Sequence, residues 1–177
     1  GSGIMAERLT DDVGLQLLAN AGATVGVLYA IIVMFGPVSG AHFNPAVTLA
    51  DAALGHRPWA DVAPYVAAQV AGGAIGAMIA NLMFELDAIN ISEKVRDGSG
   101  QFIGEIVATF GLVFVIFALV RSGRDQLAAG AVAAYIGGAY WFTSSTSFAN
   151  PAVSVTRTLS NTFAGIDPAS APIFVVM

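Results

Sequence analysis

Two short stretches of this 177-residue sequence carry polar groups in a pattern that could act on a small molecule. One is Ser39-Gly40-Ala41-His42-Phe43-Asn44-Pro45-Ala46-Val47-Thr48. The other is Ser147-Phe148-Ala149-Asn150-Pro151-Ala152-Val153, in which Asn150 follows Asn44 by 106 residues. Each reads as a helix start. An Asn side-chain oxygen takes up an orphan backbone N–H at a helix N-cap, and Pro suits the next position, where no N–H is needed. An Asn that caps through its oxygen keeps its amide N–H groups as donors directed away from the helix. The chemistry this offers is hydrogen-bond donation to a passing molecule, with no covalent bond made or broken. No nucleophile–base pair or metal-ligand cluster accompanies these residues, and there is no Cys to supply a thiolate. The expectation is therefore a protein that is not an enzyme and that uses no cofactor and no metal.

One such triplet is an ordinary capped helix, but two in similar apolar surroundings describe a repeat. The elements that hold them follow from composition. The chain is 56% hydrophobic and only 11% charged, against about 25% charged in an average soluble domain, and its mean hydropathy is +0.73. This is the composition of a protein whose solvent is the lipid bilayer. The net charge of −5 is scattered over loops, which argues against a nucleic-acid partner.

From Val13 to Phe35 run 23 uncharged residues, about 34 Å of helix at 1.5 Å per residue, enough to cross a bilayer. A loop from Gly36 to Phe43 leads to a helix at Asn44 that meets Asp51, Gly55, His56, Arg57 and Pro58, too soon to span. Trp59 to Phe84 is the next span. Residues 85–100 form one long polar connection. Gln101 to Val120 and Gln126 to Phe142 are two further spans, the last somewhat short. Thr143 to Ala149 then leads to a second half-length helix at Asn150, which runs out near Asn161 to Gly165. Gly22 with Gly26, and Gly72 with Gly73 and Gly76, are small-residue pairs that would permit close helix contact.

Both ends read as cut. Gly1-Ser2-Gly3 suggests a cloning remnant or the end of a preceding helix, and the final apolar run is too short to span. With one span restored at each end, the order becomes two copies of span, span, half helix, span: a single transmembrane domain with a first repeat at about 1–84, a linker at 85–100 and a second repeat at about 101–177. Three spans per copy is an odd number, so the copies must be inverted, with the two half helices entering from opposite faces and meeting at mid-membrane. Irregular backbone at that depth must be buried or line a watery cavity. Facing helix N-termini and Asn donors would repel cations and orient a hydroxylic solute.

On these residues, together with Glu105-Ile106-Val107-Ala108-Thr109-Phe110, the sequence resembles the aquaporin and aquaglyceroporin (major intrinsic protein) family. The resemblance covers nearly the whole chain, lacking the first helix and most of the sixth. It implies an all-α membrane fold, an inverted repeat with two re-entrant half helices, a pore in each subunit of a homotetramer, and a place in the plasma membrane, in bacteria the inner one. The pore motifs would be Asn44, Pro45, Ala46, Asn150, Pro151 and Ala152. Glu105, an acid inside a span, would accept hydrogen bonds from loop N–H groups rather than relay protons, since a buried carboxylate must find partners. His42 would line the pore and position its loop rather than gate it. His56 and Arg57 would suit the negative end of the first half helix. Tyr29, Phe35, Tyr140, Trp141 and Phe142 read as packing or lipid-facing residues, and Thr143 to Ser147 as the polar wall of the outer vestibule.

By family spacing the selectivity filter falls at Thr24, Gly138, Ser147 and Val153. The family usually places Arg directly after the second Asn-Pro-Ala, where this chain has Val153. The filter should then be wide and neutral, as in a bacterial branch associated with metalloids and polyols. Arg157, four residues on and on the same helical face, either leans back toward the filter or turns out to the vestibule. The expected function is a passive channel for small neutral solutes: water, glycerol-like polyols and undissociated metalloid acids. The alternatives are a strictly water-selective aquaporin and a broken-helix secondary transporter. Orientation is undetermined by charge, since Arg57, Arg121 and Arg124 on one side balance Arg8, Lys94 and Arg96 on the other.

Overall fold

The computed structural model describes residues 1–176 and is all-helical, with eight α-helices and no extended strand among those residues. They are α1 Ser2–Leu9, α2 Val13–Ser39, α3 Pro45–Ala53, α4 Val62–Met83, α5 Ser99–Arg121, α6 Ala128–Phe142, α7 Pro151–Thr156 and α8 Ala171–Val176. Short 3₁₀ turns precede α4 and α6 and follow α7. Three segments are long and apolar enough to cross a membrane: Val13–Ser39, Trp59–Met83 and Ser99–Arg121.

The boundaries differ from the sequence expectation in three places. The helix expected to end at Phe35 continues through Pro37 to Ser39 and stops at Gly40, whose left-handed φ of 79° lets its N–H reach Gly36. The fourth span, expected from Gln126, is a helix of 15 residues, about 22 Å and short of the roughly 30 Å hydrocarbon core. The second half helix holds α geometry for only six residues. Its sequence, Val153-Ser154-Val155-Thr156, is β-branched and hydroxylic, and such residues weaken helices by stiffness and by bonding back to the preceding turn. Ser154 donates to Asn150 O and Thr158 to Val155 O.

The core sits among α2, α3, α5 and α6, where Ala21, Val47, Ala108, Leu112, Val132, Ile136, Ala139 and Tyr140 are buried together. Around it the outward faces are apolar and exposed, as at Val27, Ile75, Ile79, Phe110 and Phe114, the pattern of a surface that meets lipid. Of the expected small-residue glycines only Gly73 makes a close contact, where a Cβ would come within 2.9 Å of Thr156 Cγ2 on α7. Cβ atoms at Gly22, Gly26, Gly72 and Gly76 would meet nothing within 4 Å. A tight seam also runs between α2 and α6, where a Cβ on Gly137 would fall well inside contact distance of Val25 Cγ2. Val25 is β-branched and cannot swing aside, so Gly137→Ala is expected to cost about 1–3 kcal/mol, the usual penalty of overpacking. Thermal denaturation in detergent should show a lowered midpoint that Val25→Ala restores. An unchanged midpoint would mean the two helices can part without penalty.

The connection at 85–98 is not a free linker. Asn90 N donates to Leu159 O and Ser92 N to Thr158 O, at 3.1 and 2.8 Å. Buried Asn81 ties the same strands of chain, donating to Ala88 O and Leu159 O and accepting from Ser160. Arg96, 6% exposed, donates Nε to Gly165 O, Nη1 to Ser145 O and Nη2 to Phe163 O. Burial and the neighbouring Arg157 cation draw its pKa down to about 10, so it remains charged at neutral pH. The linker thus clamps the far side of the loop that ends at Asn150.

Candidate functional site

The two loops leading to Asn44 and Asn150 have the same backbone. Counting back from each Asn, the fourth, third and first residues have positive φ: Gly40 79°, Ala41 49° and Phe43 48° in one copy, Thr146 62°, Ser147 49° and Ala149 46° in the other. Five of these six are not glycine, and a left-handed conformation costs an L-residue roughly 1–2 kcal/mol. Something must hold them there.

In the second copy that holder is Glu105. It is 1% exposed, and its Oε1 accepts from Phe148 N at 2.9 Å while Oε2 accepts from Ala149 N at 2.7 Å. The carboxylate thereby meets two backbone donors that the twisted loop removes from any ladder, and both of its oxygens are occupied.

The Asn caps then lock the copies together. Asn44 Oδ1 accepts from Ala46 N at 2.9 Å, and Asn150 Oδ1 accepts from Ala152 N at 3.0 Å and Val153 N at 3.3 Å. Pro45 and Pro151 occupy the first helical position of α3 and α7, with Ala46 and Ala152 next. The amides are not both free donors, as the sequence suggested. Asn44 Nδ2 donates to Ala149 O at 2.7 Å, and Asn150 Nδ2 donates to Phe43 O at 2.8 Å. Each Asn uses one N–H on the carbonyl just before the other Asn, which leaves each amide one N–H.

Beside this junction lies an elongated cavity of about 620 Å³. Along α2 its lining runs from Thr24 to Gly36, and along α6 from Ala128 to Tyr140, with Asp51, Asp125 and Gln126 at one end and Ser147, Tyr140 and Arg157 at the other. Both Asn residues and the loop segments 40–43 and 147–149 border it. Leu28, Ile32, Leu112, Ile116, Val132 and Ile136 make the remaining wall apolar.

Of the filter residues expected from sequence, Thr24, Ser147 and Val153 line this cavity and Gly138 does not. Gly138 is exposed, and a Cβ there would meet only Phe142, on the outward face of α6. Two residues is 200° of helix, so Ile136 and Tyr140 point inward where Gly138 points out. Tyr140, expected to be a packing or lipid-facing residue, is buried in the core at 2% exposed and also borders the cavity, bonding Thr24 Oγ1 at 3.2 Å and Arg157 Nη2 at 3.1 Å. The signal was present in Val132, Ile136 and Tyr140, which recur every fourth residue on one face. Arg157 leans inward to the cavity rather than outward, its guanidinium 4.5 Å from the Phe148 ring centre. No local pattern pointed to Arg96, whose partners lie 49 to 69 residues away.

The hydroxyl run also differs from a polar vestibule wall. Thr143 donates to Ala139 O, and Ser145 donates to Thr143 and accepts from Ser147 N. These groups stabilise their own loop, and only Ser147 borders the cavity. At the other end, His42 lines the cavity, with Nδ1 3.1 Å from Thr48 Oγ1 and Nε2 3.5 Å from Asp51 Oδ2. His56 and Arg57 close on the same carboxylate, each at 3.3 Å, rather than on the carbonyls that end α3. Arg57 also lies 4.1 Å from the Tyr65 ring centre.

The family model described as "Major intrinsic protein" matches residues 1–155. The chain is 51% identical over 176 residues to the aquaglyceroporin AqpS of Rhizobium meliloti, covering 99% of this chain and 75% of that protein. It is 31% identical over 152 residues to a glycerol uptake facilitator protein of Streptococcus pneumoniae, covering 77% of this chain and 64% of the relative. Over 127 residues it is 35% identical to aquaporin NIP6-1 of Arabidopsis thaliana, covering 70% of this chain and 42% of the plant protein. Cross-bonded Asn caps, a carboxylate holding the second loop and an elongated cavity along both therefore occur in a chain that belongs to the major intrinsic protein family.

Proposed function

We propose that this protein is a passive membrane channel for small neutral solutes, with water and glycerol-like polyols as its main cargo and undissociated metalloid acids within its range. The observation that carries the reading is the cavity that passes both Asn caps with an apolar wall on one side and loop backbone on the other. A solute moving along it loses part of its hydration. The remaining Asn44 and Asn150 N–H groups and the carbonyls of residues 40–43 and 147–149 replace those bonds, which is how a pore selects by lining donors and acceptors. The names of the relatives, an aquaglyceroporin and a glycerol uptake facilitator, fit the same solute class.

Coupled transport is less well supported, because both oxygens of Glu105, the acid within a span, are held by loop N–H groups. The reading extends to two inverted repeats joined by residues 85–100, a homotetramer, and the bacterial inner membrane. Stopped-flow light scattering on proteoliposomes of the full-length protein tests it. Water, glycerol and arsenous acid should each equilibrate faster than in empty liposomes. Glycerol entry no faster than in empty liposomes, with water accelerated, would leave a strictly water-selective pore instead.

A further inference from the structure

Two guanidinium groups flank the ring of Phe148, with Arg96 Cζ 4.8 Å and Arg157 Cζ 4.5 Å from its centre. They do different work. All three nitrogens of Arg96 are bonded to carbonyls, and Arg96 does not border the cavity. Arg157 borders the cavity and makes one side-chain hydrogen bond among the described residues, from Nη2 to the Tyr140 hydroxyl.

That bond belongs to an oriented chain. Thr24 Oγ1 donates its single proton to Asn20 O at 2.8 Å. Its contact with Tyr140 at 3.2 Å must then be donated by the tyrosine, because a hydroxyl has one proton to give. Tyr140, having donated, accepts from Arg157. No member of the chain can turn round, so a neutral hydroxyl network fixes the guanidinium from α6 and α2. Arg157 retains N–H donors beyond the one used, since a guanidinium carries five. Ser147 borders the same cavity, but its Oγ is buried and has no hydrogen-bond partner among the described residues. Val153, one turn before Arg157, adds an apolar surface to the same wall.

From this geometry we infer that Arg157, positioned by Tyr140, is the specificity-determining cation of the pore, and that its remaining N–H groups grip hydroxyl oxygens of a solute whose C–H edge lies along Val153. The inference rests on the channel reading and names the solute it selects: a small neutral polyol with polar groups on one edge. The fixed positive charge also disfavours cations, because a neutral hydroxyl network holds the guanidinium and leaves its charge uncancelled beside the path.

Three variants in proteoliposomes separate charge from geometry: Arg157→Met, Arg157→Lys and Tyr140→Phe, compared with the unaltered protein at matched incorporation. The Met variant keeps an unbranched stem against Phe148. Water and glycerol permeabilities are read by light scattering, and cation leak by the decay of an imposed potassium diffusion potential. Arg157→Met is expected to raise cation leak at least tenfold and to change the glycerol-to-water ratio at least threefold. Arg157→Lys should restore cation exclusion without restoring the ratio, because an ammonium lacks the planar fork. Tyr140→Phe should leave cation leak low and change the ratio, since the charge stays and its position is lost. A merely structural role for Tyr140 would lower all permeabilities together. Should Arg157→Met fail to incorporate, the opposed responses of the Lys and Phe variants carry the test. A conducting protein in which the ratio and the leak stay within twofold in every variant overturns the inference alone. An unaltered protein that conducts no solute overturns the channel reading and this inference with it.

Discussion

Glu105→Gln is expected to lower stability by about 3 kcal/mol while changing solute selectivity little. The wild-type carboxylate accepts two backbone N–H bonds, from Phe148 and Ala149, and bonds to a charged group contribute about 1.5–3 kcal/mol each. Glutamine has one acceptor oxygen, so it can satisfy one of the two donors, and its NH₂ would face the other N–H donor to donor. The orphaned N–H lies in a loop with Thr146, Ser147 and Ala149 at positive φ, which relaxes once its tie is cut. In a domain of this size 1 kcal/mol moves the unfolding midpoint by roughly 2–4 °C, so a fall of about 6–12 °C is expected in detergent. Glu105→Asp should also destabilise, because the shorter stem cannot reach both N–H groups at once. The glycerol-to-water permeability ratio of the folded fraction should stay within about twofold of the unaltered protein. If Glu105 relays protons, the midpoint would hold while pH-dependent flux disappeared, and that pairing of results would remove the structural role.

Much of this arrangement was legible from residue type and spacing. Asn-Pro at both half helices specifies a capped start by local chemistry, and the charge-free run from Val13 specifies a span by length. Glu105 in an apolar segment called for loop N–H partners, because an acid cannot be buried without them. The loops themselves were not legible. Ala41, Phe43, Thr146, Ser147 and Ala149 adopt φ values that their own sequence disfavours, and the force holding those in the second copy comes from Glu105, 41 to 44 positions earlier (146 − 105 and 149 − 105). Gly138 was misplaced because spacing carried from a resemblance fixes a level along the helix and leaves the direction to packing. The close fit of Gly137 against Val25 turns Tyr140 inward and Gly138 out. Within the polar connection nothing distinguishes Arg96, because its carbonyl partners at Ser145, Phe163 and Gly165 are scattered along the chain and share no local motif.

Val153→Arg is expected to reduce glycerol and metalloid-acid flux by about tenfold, a barrier increase near 1.4 kcal/mol, while leaving most of the water flux. Val153 borders the cavity between Asn150 and Arg157, and its N–H is already taken by the Asn150 cap, so the backbone there is fixed and the added bulk must project into the lumen. The new guanidinium would stand one turn from Arg157 on the same face. Two like charges at that spacing repel, and Arg157 is held back by Tyr140 at 3.1 Å and by the Phe148 ring. The new side chain therefore has to extend across the cavity toward the Thr24 side. That removes the apolar edge against which a polyol's C–H groups would lie and replaces it with donors. Water needs no such edge and accepts hydrogen bonds from either guanidinium, so its passage is affected less. Combining the substitution with Tyr140→Phe should recover part of the glycerol flux, because an unpinned Arg157 can move aside for the new charge. Equal glycerol flux in Val153→Arg and unaltered protein, at matched incorporation and water permeability, would place the constriction elsewhere along the cavity.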